Sequence, residues 1–153
     1  MPRILGIDFG TRRIGCAVSD PRRLISTPLE VYERRDPTQD ARYFRKLIEE
    51  HEVDLIVIGL PVHVNGREGT SARKARDFGD WLTTFASVPV LYHDERYSTV
   101  EADEILMSVG YNRKKRAGLR DMIAAQILLQ AYLDAGCPVT TATPAPLADP
   151  EEL

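Results

Sequence analysis

The sequence predicts an α/β fold: a mixed five-stranded sheet with elements in the order βββαβαβαα and helices on both faces. Three observations lead there. Short apolar runs separated by turn residues fill 3–32, as in strands joined by tight turns. A continuous β-branched run, VDLIVIG at 53–59, lies between two stretches of helical periodicity, which suits a buried strand with parallel neighbours. Strands that follow each other closely pair antiparallel, whereas strands separated by helices pair parallel, so the sheet is mixed.

Each element has its own signal. RILGIDFGTRRIGCAVSD at 3–20 reads as two strands around a Gly10-Thr11 turn. Asp8 ends the first. A buried carboxylate without a partner costs several kcal/mol, so Asp8 either caps the turn or holds a cation. A third strand is expected over 24–32, with Pro28 placing it at an edge or a bulge. Asp36 before Pro37 is an N-cap followed by proline at the first helical position. Ala41, Phe44, Leu47, Ile48 and His51 then recur at helical spacing. After strand 53–59 and an Asn65-Gly66 loop, Ala72, Ala75, Phe78, Leu82 and Phe85 mark one face of a long helix. A short strand follows over 88–93. Ser98 and Glu101 form a capping box for a helix ending at Gly110. The last helix is expected from Leu119 to about Gly136.

Composition narrows the class. The chain has 153 residues, 43% hydrophobic and 28% charged, enough for one domain with a real core. No apolar run approaches a membrane span, and MPRILG lacks a signal-peptide layout, so no membrane partner is expected. Cys16 and Cys137 give neither metal spacing nor a disulfide framework, which points to the reducing cytoplasm. The domain is expected to span 1–136, and the acidic, proline-rich stretch 137–153 to be a disordered tail. That tail carries Asp149, Glu151 and Glu152, and with them the net charge of −3. The rest is balanced but uneven. Arg113, Lys114, Lys115, Arg116 and Arg120 cluster, and Arg12–Arg13 form a smaller basic pair. Such runs are solvated faces or phosphate-contacting patches.

Three acids stand where a site could form. Asp8 ends the first strand, and Glu95 follows the fifth. If those strands are parallel, their ends share one edge, where ligands of open α/β sheets gather. Asp121 lies near the start of the last helix and begins a stripe continued by Ala124, Ala125 and Leu128, an inward-looking face. Interaction with the helix N-terminus is its simplest explanation; a cation is the other. Carboxylates without His or Cys suit hard ions such as Mg²⁺ or Mn²⁺, and a pair of such ions suits phosphodiester hydrolysis.

Four stretches carry a family resemblance: GIDFGTRRIGCAVSD at 6–20, VIGLPVHVNGREG at 57–69, DERYSTVEAD at 94–103 and KKRAGLRDMIAAQILLQAYL at 114–133. Together they resemble the YqgF/RuvX family of Holliday junction resolvases and pre-16S rRNA processing nucleases. The resemblance implies a ribonuclease H-like, RuvC-type fold. It implies a metal-dependent nuclease whose ligands to Mg²⁺ or Mn²⁺, two ions, are Asp8, Glu95 and Asp121. Tyr97 and Ser98 depart mildly from the usual residues after the Asp-Glu-Arg triplet.

The substrate implied is branched DNA or precursor rRNA. Phosphate contacts are expected from Arg12, Arg13, Arg67, Arg96, Lys114, Lys115 and Arg116. Arg96 could instead anchor the strand end by an ion pair, and the Arg67 loop could be a plain turn. A junction resolvase makes two matched cuts and so works as a homodimer; a single rRNA cut needs one site. Two rivals differ in class. DFGT also resembles the first phosphate loop of actin-like ATPases, but the chain is too short for their two lobes. A non-catalytic nucleic-acid-binding module would keep the basic residues without needing the acids.

Overall fold

The computed structural model describes residues 2–61, 69–94 and 113–139. Five strands form one sheet: β1 Arg3–Asp8, β2 Arg13–Ser19, β3 Ser26–Glu33, β4 Val53–Leu60 and β5 Val90–Asp94. The helices are α1 Pro37–Glu50, α2 Thr70–Thr83 and α3 Arg113–Asp134. Strand order across the sheet is β3-β2-β1-β4-β5. The pairs β1–β2 and β2–β3 are antiparallel, and β1–β4 and β4–β5 are parallel. The expected opening meander and parallel continuation are both present.

Local signals explain the elements. Pro28 lies in β3, an edge strand, and the ladder shifts register between Cys16 and Ala17 beside it. Proline lacks a backbone N–H, so an edge or bulge is where it fits. The β2–β3 turn is held by Asp20, whose Oδ1 accepts from the N–H groups of Leu24 at 2.7 Å and Ile25 at 2.8 Å. Asp36 caps α1 by accepting from Gln39 N–H at 2.8 Å.

Alternation along the strands builds two cores. Leu5, Ile7, Ile56 and Ile58 face α1 and α2, where Phe44, Phe78 and Leu82 meet them. Ile4, Ala17, Leu55 and Val57 face α3, where Ala125, Leu129 and Tyr132 meet them. Helices therefore cover both faces. No helix among the described residues is long and apolar enough to cross a membrane.

One boundary differs from expectation. The last helix starts at Arg113, not near Leu119, so the basic cluster forms its opening turns. Arginine and lysine are good helix formers. Their charge is merely unfavourable at a helix N-terminus, and a weak electrostatic penalty does not outweigh propensity together with the packing downstream. The expected helix capped by Ser98 and Glu101 lies outside the described residues, as does 140–153 of the tail.

Candidate active site

The parallel strands β1, β4 and β5 bring their C-terminal ends to one edge of the sheet. Asp8 is the last residue of β1 and Asp94 the last of β5. Successive residues of β1 alternate between faces. Ile4 packs on the α3 side and Leu5 and Ile7 on the other, so Asp8 belongs to the α3 side.

Asp121 arrives at the same place through a glycine. Asp8 pairs with Gly15 across the β1–β2 ladder, and directly opposed residues share a face. A Cβ on Gly15 would stand 2.0 Å from the backbone oxygen of Asp121. The α3 backbone therefore presses on β2 directly opposite Asp8. Gly6 does the same further down, where a Cβ would stand 2.8 Å from Leu129 Cβ. Ala124 and Ala125 are almost wholly buried on the helix side of this seam. The close approach expected from those alanines is thus matched by glycines in the sheet, a contribution the sequence signals only as glycines interrupting strand patterns.

Asp121 sits in the third turn of α3, not the first. The helix N-terminus is too far along to account for it, because that effect fades within the first turn. Its carboxylate instead faces Arg13, with Nε 3.7 Å from Oδ2. The Arg13 side chain is 48% exposed and that of Asp121 29%, so the pair is loose and water-screened, worth at most about 1 kcal/mol. Arg13 is thereby placed between the acid and solvent. Arg12 is exposed in the β1–β2 turn, and its carbonyl accepts from Arg34 N–H at 2.8 Å.

Lys114, Lys115 and Arg116 fall in the opening turns of α3, upstream of Asp121 on the same helix. Glu95, Arg67 and Arg96 lie outside the described residues. Glu95 follows Asp94 directly in sequence, and β5 is separated from β1 by β4 alone.

His93 is a neighbour that the sequence reading did not single out. It pairs with Gly59, and its ring meets Tyr132 of α3 edge-on at 5.7 Å. Burial pushes its pKa below the usual 6.5, opposed by the Asp94 charge. Strand alternation through Leu91 would have placed it on the α3 face.

Among the described residues, no group of three or more His, Cys, Asp or Glu side chains could hold a metal ion. Asp8 and Asp121 offer carboxylate oxygens alone, the donor chemistry of Mg²⁺ and Mn²⁺. Their donor chemistry fits such an ion, and the third expected ligand, Glu95, lies outside the described residues.

A sequence profile of the RuvX family, described as Holliday junction resolvase, matches residues 2–135. A Halothermothrix orenii protein is 43% identical over 132 residues, spanning 86% of this chain and 94% of its own. A Koribacter versatilis protein is 41% identical over 132 residues, spanning 86% of each chain. Both are provisionally named pre-16S rRNA nuclease. Among solved structures, Thermus thermophilus RuvC in complex with a Holliday junction superposes with a TM-score of 0.58 at 16% identity, over 93% of this chain and 99% of RuvC. The fowlpox virus resolvase bound to Holliday junction DNA superposes at 0.56 with 12% identity, over 89% of this chain and 99% of that one. The fold is therefore RNase H-like and RuvC-type, and the chain belongs to the RuvX family.

Proposed function

We propose that this chain is a divalent-metal-dependent endonuclease that hydrolyses phosphodiester bonds in precursor 16S rRNA, working in the cytoplasm. The observation that carries the nuclease reading is the packing of the Asp121 backbone on Gly15, the ladder partner of Asp8 at the C-terminal edge of β1. Membership of a nuclease family supports it. The rRNA substrate is supported by the names of relatives at about 40% identity over most of the chain. Holliday junction cleavage is the second reading, favoured by the description of the family itself. It requires two copies of the site, hence a homodimer.

In this reading Asp8, Glu95 and Asp121 hold Mg²⁺ or Mn²⁺. Two such ions, when bound, supply activated water and charge stabilisation at the leaving oxygen. The chain's own residues hold the strand. Arg13 exchanges its contact with Asp121 for one with a phosphate once the acid has another partner. Arg12, Arg67, Arg96, Lys114, Lys115 and Arg116 contact flanking phosphates, which gives affinity without sequence choice.

The test is a labelled precursor 16S rRNA 5′ fragment and a labelled four-way DNA junction, incubated side by side with Mg²⁺ or Mn²⁺ and with Asp8→Asn as control. Cutting of the RNA alone supports the rRNA reading. Paired symmetric nicks in the junction alone select the resolvase. Cleavage that survives chelation, or that Asp8→Asn retains, rejects the metal-dependent site.

A further inference from the structure

The sheet edge that carries Asp8 on one face carries a cleft on the other. It has a volume of about 310 Å³ and opens between the β1–β2 turn and α2. Phe9 follows Asp8 directly and packs with the α1–α2 core. Its ring lies 4.8 Å from that of Phe78 at an interplanar angle of 34°. Trp81 continues the row, 5.5 Å from Phe78. The Arg34 guanidinium stands 5.5 Å from the Phe9 ring centre and 5.7 Å from that of Phe78. Lys74 and Asp77, both exposed, complete the rim. None of these side chains has a task in the site described above.

We propose that this cleft binds one unpaired nucleobase of the RNA strand being cut, stacked against the partly buried Phe9 and Trp81 with the buried Phe78 behind them, and with Lys74 at its phosphate. The proposal rests on the rRNA nuclease reading and adds to it a selection for unpaired nucleotides. The chemistry of the walls argues for this occupant. Aromatic faces accept any base by stacking, and a guanidinium strengthens the platform. Arg34 Nε also lies 3.5 Å from the buried Asp40, so the guanidinium is held in place over the rings, and Lys74 is the rim cation left to meet the phosphate attached to that flat ring. A base inside a helix has both faces covered by its neighbours and cannot enter, in keeping with the preference of RNA-binding proteins for splayed, single-stranded bases. Phe9 adjoins Asp8 in the chain but packs on the other face of the sheet, so a strand that reaches both crosses the sheet edge at the end of β1.

Trp81 is the sole tryptophan and reports on the cleft. The experiment uses full-length Asp8→Asn protein, titrated while Trp81 fluorescence is followed. The probes are a short single-stranded oligoribonucleotide, the same strand with an abasic ribose moved along it one position at a time, and the same sequence in a blunt RNA duplex. The expected result is saturable quenching by the intact strand. Affinity should fall roughly tenfold with the abasic ribose at one position, and at least as far for the duplex. Lys74→Glu should weaken binding several-fold with an unchanged melting temperature. Equal affinity for intact and abasic strands, binding that leaves Trp81 fluorescence unchanged, or no binding at all overturns the proposal and leaves the aromatic row as packing. Failure of the nuclease reading looks different: base-dependent quenching would persist while the wild-type chain cuts nothing.

Discussion

At Gly15 the space for a side chain is taken by the Asp121 carbonyl, so the residue acts through what it lacks. Gly15→Ala forces α3 off the sheet. The expected cost is that of an overpacked contact, about 1–3 kcal/mol, read as a melting temperature lower by several degrees. Cutting should fall further than stability alone explains, because the shift also moves Asp121. Asp20 makes a different prediction. Accepted hydrogen bonds from Ile25, Leu24 and Arg22 hold its pKa below the usual 3.8. A depressed carboxylate contributes stability that is present above its unfolded pKa and lost as the pH falls through its folded one. Acid unfolding should therefore steepen below about pH 3.8, and Asp20→Ala should flatten that part of a stability–pH curve. Asp8 and Asp121 were legible as candidates from their positions alone. Gly15 was not, because a glycine in a strand says only that something comes close, and what comes close here is more than a hundred residues away in the chain.

At the scale of elements, α1 and α3 show where sequence signals succeed and fail. The Asp36 cap and Pro37 fixed the start of α1, since both act on the local backbone. Asp40 beside them was invisible. It is 1% exposed, accepts from Tyr32 Oη at 2.6 Å and from Arg35 N–H at 2.9 Å, and lies 3.5 Å from Arg34 Nε. Those donors tie β3 and the segment after it to α1. Asp40→Ala removes the buried acceptor from donors that are themselves half-buried or exposed and should destabilise the fold by about 1–3 kcal/mol, measured by denaturant unfolding. Tyr32 gives the same contact from the other side, its pKa pushed up to about 12 by burial and by its hydrogen bond to Asp40. The start of α3 is poorly legible in the sequence because a run of cations is a poor helix opening unless the packed face that follows is counted with it.

For the molecule as a whole, element order was enough to give a mixed sheet with parallel strands ending on one edge. That inference rests on chain connectivity, which sequence displays directly. The faces that α3 and α2 cover, and so the separation of an acidic face from an aromatic cleft at one edge, depend on long-range packing that sequence displays poorly. The charge pattern predicts behaviour at this scale. Affinity for RNA should fall linearly on a log–log plot against salt, with a shallower slope when Lys114, Lys115 and Arg116 are replaced together by Gln.

The central claim is that Asp8 and Asp121 serve one site. Cleavage rates of Asp8→Asn, Asp121→Asn and the double variant on the same labelled substrate test it most directly. Residues that act as a unit are strongly non-additive. The double variant should cut no more slowly than either single one, all three near background, with binding retained. An Asp121→Asn protein that cuts at the wild-type rate, or two losses that multiply as independent effects, would contradict the shared site.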